Sequence, residues 1–353
     1  MSGFIDEVDA VSEEADLRDA LRRTQARLVK AKNVTEALVE ATMAGAKDAM
    51  LAMGPIDRVP TPTTRAKRGI NYEEVALWDT GDWQGSKVTP TYNSEVAKQR
   101  IDHFVNEAID LTTFRRATAK VDTCVILFGG DMIEGLFNFP NQAFEIDMSL
   151  FGQYVWVSRK VVDVVRKALS VYKKVIVSAE WGNHGRVGSK RDNVPRSDNF
   201  DRMVFYLAKE ILHEEIEAGR LVWPESEEDI QRVEIGNYRA LNCHGDEVGR
   251  NGFASPSTLI GHANRWKSGA FRVAGEFWDF RDVYLHHYHT HAEFPMSNGE
   301  GAIYQTGSTE SDNRYARDSM ASSAITSQRV HFIDPAKGRV TAQHKVMLLD
   351  AHN

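Results

Sequence analysis

Apolar positions along the chain form two kinds of run: short continuous blocks, and longer stretches with apolar residues three and four apart. The short blocks read as buried strands, at Glu73–Trp78, Cys124–Phe128, Lys174–Ala179, Tyr238–Cys243 and Val283–Leu285. The longer stretches read as amphipathic helices. Ser94–Ala117 puts Ile101, Phe104, Val105, Ala108 and Ile109 on one face, and Phe151–Val171 and Asn199–Glu217 are also helical. Strands alternating with helices predict an α/β sheet, and a strand-rich C-terminal part from Gly301 predicts antiparallel additions to it.

The first part of the chain has a different pattern. Asp6–Met53 is rich in Ala, Leu, Glu, Lys and Arg and reads as one long helical arm. Leu17, Leu21, Thr24, Leu28, Ala31, Thr35 and Leu38 step by four and three, an imperfect heptad. Packing on its own domain and a coiled coil between subunits both fit, with self-association slightly favoured. Pro55, Pro60 and Pro62 then stop the helix in a stretch made basic by Arg58, Arg65, Lys67 and Arg68. A solvated linker is the simpler reading of that stretch, and contact with a phosphate backbone the other. The expected organisation is an arm over residues 1–53, a linker over 54–69 and a main domain over 70–353.

Composition narrows the class. At 353 residues, 42% hydrophobic and 26% charged, the chain fits a soluble globular protein with one large domain and an accessory segment. Its formal charge of −7 argues against a generally basic nucleic-acid binder, though acidic residues that hold cations would be compatible with a nucleic-acid enzyme. Cys124 and Cys243, the two cysteines, sit in apolar strand-like blocks and read as reduced core residues, which points to the cytoplasm. No apolar run reaches membrane-spanning length and no signal peptide is recognised, so no membrane role is expected.

The candidate chemistry lies where strands end. Val121–Gly135 shows the pattern best: an apolar block runs into Gly129-Gly130-Asp131, delivering a carboxylate to the edge of the sheet. Polar groups recur at other strand ends: Asp82 with Gln84, Asn183 with His184, His244, and His287 with His289. Taken singly, each has an ordinary reading as a turn or a satisfied core histidine. Together they form a mixed nitrogen and oxygen donor set that suits two divalent ions sharing Asp131. Clustered histidines without a partner would cost desolvation, which weighs the run His286–His291 towards a ligand role.

Asp82-Trp83-Gln84, Gly130-Asp131, Gly182-Asn183-His184, His244-Gly245-Asp246 and His287-Tyr288-His289, in that order, resemble the signature of the calcineurin-like metallophosphoesterase superfamily. The resemblance spans about Glu73 to Gln343 and is most similar to SbcD-type and bacteriophage DNA exonucleases. It implies a four-layer αββα sandwich and leaves the long N-terminal helical arm outside. It also implies that Asp82, Gln84, Asp131 and His289 hold one metal, and Asp131, Asn183, His244 and His287 a second. Asp79 and His291 are alternative ligands if the first and last motifs are read in other frames. His184 would face the leaving oxygen as the catalytic acid while a water activated by the two ions attacks phosphorus. Asp246 would orient His244, and Arg186 would either clamp a phosphate oxygen or face solvent. Trp181 and Tyr288 read as core aromatics rather than base-stacking residues.

Gln84 departs from the signature by standing where a histidine is usual, which favours Mn²⁺ or Mg²⁺ over Zn²⁺, with Fe²⁺ also compatible. The implied function is hydrolysis of phosphodiester bonds, foremost in DNA. The alternatives are a phosphatase or a phosphodiesterase acting on cyclic nucleotides and other small molecules, or a catalytically weak scaffold assembled through the helical arm. Implied partners are DNA or a nucleotide, a second copy through the arm, and an SbcC-like ATPase. The implied location is the cytoplasm, the host's if the chain is phage-encoded.

Overall fold

The computed structural model of the chain describes residues 56–63, 69–136, 138, 142–188, 195–224, 228, 230–248, 254–273, 275–297, 299–313 and 325–349, with isolated positions between 37 and 48. It divides into two units, Met1–Met53 and Gly54–Asn353. In the first unit the isolated described positions are helical. The whole of the expected heptad, and with it the coiled-coil expectation, lies outside the described residues.

Strand β1 (Glu73–Thr80) pairs in parallel with β2 (Lys120–Phe128), which pairs in parallel with β3 (Lys174–Ala179), and β3 with the short β4 (Leu221–Val222). Helices α1 (Ser94–Arg115), α2 (Leu150–Val171) and α3 (Phe200–Ile211) supply the crossovers that parallel pairing requires. Their starts are set by side-chain caps. Asn93 Oδ1 accepts from Val96 N–H, Ser149 Oγ from Gly152 N–H, and Asn199 Oδ1 from Asp201 N–H. The single helix expected over Asn199–Glu217 instead begins after Asn199 and breaks at Leu212, with α4 (His213–Glu217) following. Leu212 leaves helical geometry at φ −99° and ψ 14°.

A second sheet departs from the residue pattern's expectation of one sheet with additions. It runs in the order β10 (Ala292–Pro295), β11 (Ala302–Gln305), β9 (Asp282–Leu285), β6 (Tyr238–Cys243), β5 (Ile230–Ile235), while β7 (Arg272–Val273) and β8 (Glu276–Phe277) pair apart from it. The hairpin β5–β6 turns on Gly236-Asn237, with Gly236 at φ 59°. The antiparallel additions come at the C-terminus, as β12 (Ser327–Asp334) and β13 (Arg339–Met347) extend the first sheet beside β1.

Alternation along the strands stacks the layers. Val75, Leu77, Val125 and Leu127 from the first sheet meet Val233, Ile235, Ala240, Tyr284 and Tyr304 from the second in one buried core. The opposite faces of β6, β9 and β11 present Leu241, Cys243, Val283, Leu285 and Ile303 to Leu259 and Ala263 of α5 (Pro256–Arg265). Trp78 points out of the first sheet and meets Phe104 of α1 edge-on at 6.3 Å. The result is the αββα order of layers. Both cysteines are free and buried in it. Among the described residues no helix is long and apolar enough to cross a membrane.

Part of the stretch read as a solvated linker is fastened to this unit. Val59 is buried, its N–H donating to Glu215 Oε1 and its carbonyl accepting from Arg220, while Arg58 lies 3.8 Å from Glu215. The basic expectation there is therefore reduced by one charge pair; Arg65, Lys67 and Arg68 lie outside the described residues.

Asp282 gives a pH test of the sandwich at the start of β9, the end opposite the polar clusters. Burial pushes its carboxyl up to about 6 although Oδ1 accepts from Ala302 N–H at 2.8 Å. The folded state thus holds a proton that the unfolded chain has released. The stability linked to that proton is complete below about pH 4 and is lost as pH rises to about 6. Asp282→Asn keeps the acceptor and removes the titration, so its stability relative to the native chain should rise by up to about 3 kcal/mol between pH 4 and pH 7. Urea midpoints at the two pH values check this; an equal difference at both would refute it.

Candidate metal centre

The polar clusters meet at one end of the sandwich because β1, β2 and β3 run parallel in one sheet, and β6 and β9 in the other. The loops leaving these strands are zipped to one another. Asp82 N–H donates to Gly130 O and Gln84 N–H to Asp131 O, both at 2.9 Å, and His286 N–H to His244 O at 2.9 Å. Asp82, Gln84, Asp131, His287 and His289 all adopt positive φ, between 41° and 68°. Such backbone is rare for residues other than glycine, and here it coincides with the polar side chains of the cluster. Gly182 makes the crossing of two loops possible: a Cβ there would fall 1.9 Å from Asp131 Oδ1 and 2.1 Å from its backbone nitrogen.

The side chains form two neighbouring groups. In the first, His289 Nε2 lies 3.6 Å from Asp82 Oδ1 and 3.1 Å from Gln84 Nε2. In the second, His244 Nε2 lies 3.1 Å from Asp131 Oδ2 and 3.1 Å from Asn183 Oδ1, with the His287 ring 5.1 Å from that of His244. Ligand atoms of Asp131, His244 and His287 all fall within 4.8 Å of one another. Asp82 Oδ1, Gln84 Oε1 and Asp131 Oδ2 are buried without a hydrogen-bond partner among the described residues. Buried oxygens of this kind carry a large desolvation cost unless a cation or donor meets them. Three oxygens so placed beside imidazole nitrogens fit divalent ions.

Charge in the cradle follows from the same geometry. Burial opposes ionisation of Asp131, but the His244 and His184 imidazoles outweigh it and hold the carboxyl far below the usual range. Burial also pulls His289 down, while Asp82 and Glu310 lift it to about 10. His287 is lowered to about 4 by burial and by the neighbouring His244. A divalent ion bound here would take over the carboxylates from imidazolium protons, so binding would release protons.

His184 is placed differently from the ligands. Its backbone N–H donates to Asp131 Oδ1 at 2.7 Å, while its ring Nδ1 lies 3.1 Å from Glu134 Oε2. Lys87 Nζ holds the other Glu134 oxygen at 3.0 Å and reaches Glu145 at 3.1 Å. Burial lowers the His184 pKa, but Asp131 and Glu134 raise it further, to about 9. A protonated imidazole at the cradle's edge suits proton donation.

Several expectations need correction. Asp79 lies within β1, its carboxylate taken by His286 Nε2 at 2.9 Å and by the Thr306 hydroxyl, so it supports the cradle from behind. The apolar run ends at Trp78, but pairing with β12 at Asp79 and with β2 at Asp79 and Thr80 carries the strand two residues further. His291 faces Arg329 and Lys345, and burial with those charges lowers it to about 3. Asp246 does not hydrogen-bond His244, whose Nδ1 meets Gly129 O at 2.7 Å; Asp246 acts on it through charge alone. Arg186 neither faces solvent nor stands ready for a phosphate, because it pairs with Asp246, which Arg196 also holds at 2.8 Å. Trp181 and Tyr288 are buried core aromatics, as the sequence reading had it.

Four supporting residues escaped that reading. His286 fills the space over Gly129, where a Cβ would fall 1.9 Å from its ring. Asp201 binds the amides of Met132, Ile133 and Gly182 at 2.9–3.2 Å, fixing both loops. Glu134 and Glu310 contact His184 and His289. Two of them left a trace: Glu134 as an acid three residues after Asp131, and His286 as the first member of the run His286–His291.

No family model matches this sequence, and no curated protein does. Solved structures match at low similarity. A hypothetical protein from Pyrococcus horikoshii is 11% identical at TM-score 0.39, covering 78% of this chain and 91% of its own. Wild-type Vps29 complexed with zinc, from Entamoeba histolytica, is 10% identical at TM-score 0.30, covering 77% and 99%. A conserved uncharacterized protein, a predicted phosphoesterase from Streptococcus pneumoniae, is 11% identical at TM-score 0.29, covering 77% and 98%. Similarity at this level carries no argument about the present chain, whose function rests on its own residues.

Proposed function

We propose that this chain is a two-metal phosphodiesterase of the calcineurin-like metallophosphoesterase type, acting on DNA as a nuclease. The observation that carries the proposal is the meeting of Asp82, Gln84, Asp131, Asn183, His244, His287 and His289 at one sandwich edge, with three buried oxygens left for cations. Asp82, Gln84, Asp131 and His289 would hold one ion, and Asp131, Asn183, His244 and His287 the other. The ions would supply activation of the attacking water and neutralise charge on the phosphoryl group. His184 then donates its ring proton to the leaving oxygen, with Glu134 and Lys87 fixing the ring from behind. The oxygen-rich first group favours Mn²⁺ or Mg²⁺.

DNA is the finer step and rests on the motif resemblance. Incubation with Mn²⁺ and, in separate reactions, single-stranded DNA, duplex DNA, a cyclic dinucleotide and bis-p-nitrophenyl phosphate tests it. Release of nucleotides from DNA is the expected result. Cleavage of the small diesters with DNA intact would replace the nuclease by a small-molecule phosphodiesterase. Silence on all four, with no metal bound, would leave a scaffold.

A further inference from the structure

The segment Gly307–Glu310 has no counterpart among the sequence motifs, yet it grips the loop that carries Asp82 and Gln84. Ser308 Oγ donates to Asp82 O at 2.7 Å, Thr309 Oγ1 to Trp83 O at 3.1 Å, and Arg100 Nη1 ties Thr309 O at 2.7 Å. Glu310 closes this segment with its side chain 1% exposed. Its N–H donates to Ser308 Oγ at 2.9 Å, and its Oε2 lies 3.4 Å from His289 Nδ1 and 3.2 Å from Asn313 Nδ2. The opposite ring nitrogen, His289 Nε2, is the one that faces Asp82 and Gln84.

We propose that Glu310 is the positioning residue of the first metal site, supplying from behind His289 the negative charge and ligand orientation that offset the imidazole Gln84 lacks. This rests on the two-metal reading above. A carboxylate on one ring nitrogen fixes the tautomer, directs the other nitrogen at the ion, and raises its donor strength. Its charge also favours a cation in a site whose third donor is a neutral amide. The Glu310 Oε1 atom is buried with no hydrogen-bond partner among the described residues, so the carboxylate is not engaged as a purely structural clamp on both oxygens. Lys87 faces Glu310 electrostatically but hydrogen-bonds Glu134 and Glu145.

Mn²⁺ titration of the full chain, by calorimetry and by electron paramagnetic resonance, tests the proposal without an activity readout. The native chain should take up two equivalents. Glu310→Gln should keep one at native affinity and weaken the other about 10- to 100-fold. Glu310→Asp, which keeps the charge, should recover part of that loss. Adding Gln84→His to Glu310→Gln should recover most of it, because an imidazole then meets the ion directly. Two equivalents at unchanged affinity in Glu310→Gln would overturn the proposal. So would weakening of both sites together, or failure of both Glu310→Asp and Gln84→His to recover affinity. If the native chain itself takes up no Mn²⁺, the two-metal reading fails first and this proposal with it.

Discussion

His184→Ala should keep both metal ions and lower turnover by about 10²- to 10⁴-fold, the range expected for loss of a general acid. The hydrogen bond from this residue to Asp131 comes from its backbone N–H, at 2.7 Å, and alanine retains that donor. What alanine removes is the ring held by Glu134 at 3.1 Å, the one imidazole in the cluster raised by two carboxylates and assigned no metal. The size of the loss should also depend on the leaving group. A p-nitrophenolate leaves with little help, whereas a sugar alkoxide needs the proton, so the variant should lose more on DNA than on bis-p-nitrophenyl phosphate. Metal content by elemental analysis and rates on the two substrates check both halves. An equal loss on both, or a metal-depleted variant, would remove His184 from the acid role.

The clustered residues proposed as ligands stood out in the sequence because each sits just after an apolar block, at the place where a buried strand must stop and the backbone can turn. Gly130-Asp131 after Cys124–Phe128 is the best case: the block fixes the strand, and the glycine permits the positive φ that follows. The supporting residues were not legible, for a physical reason. Glu310 and Asp201 reach the cradle from segments whose local pattern has no metal-binding period. Asp201 lies in the first turn of α3 and would be read there as an ordinary helix-start acid. His286 illustrates a different limit. Within a run of histidines, sequence cannot tell which ring faces the interior slot over Gly129 and which face the edge, since that depends on where β9 ends. Periodicity alone hid the second sheet, which only the motif resemblance implied, for a related reason. Tyr238–Cys243 and Val283–Leu285 are buried on both faces, so they read the same whether they join the first sheet or form another.

Asp131→Asn should abolish paired metal binding and reduce turnover by at least about 10³-fold, and it should do so without unfolding the sandwich. The substitution changes few atoms. An amide oxygen can still accept the His184 N–H, and Gly182, which leaves no room for a larger group beside Asp131, meets a side chain of the same shape. The charge is what disappears, and with it the field holding the His244 ring at 3.1 Å and raising its proton affinity above that of an ordinary imidazole. Both ions depend on that charge if Asp131 bridges them, whereas Asp82 serves only the first group. Asp82→Asn should therefore cost one equivalent of Mn²⁺ and Asp131→Asn should weaken both, which separates a bridging role from a terminal one. Calorimetric stoichiometry decides between them, with thermal unfolding as the control for fold. Should Asp131→Asn retain two ions at native affinity, the shared aspartate is not the centre of the site. The same result paired with intact turnover would remove the catalytic reading altogether.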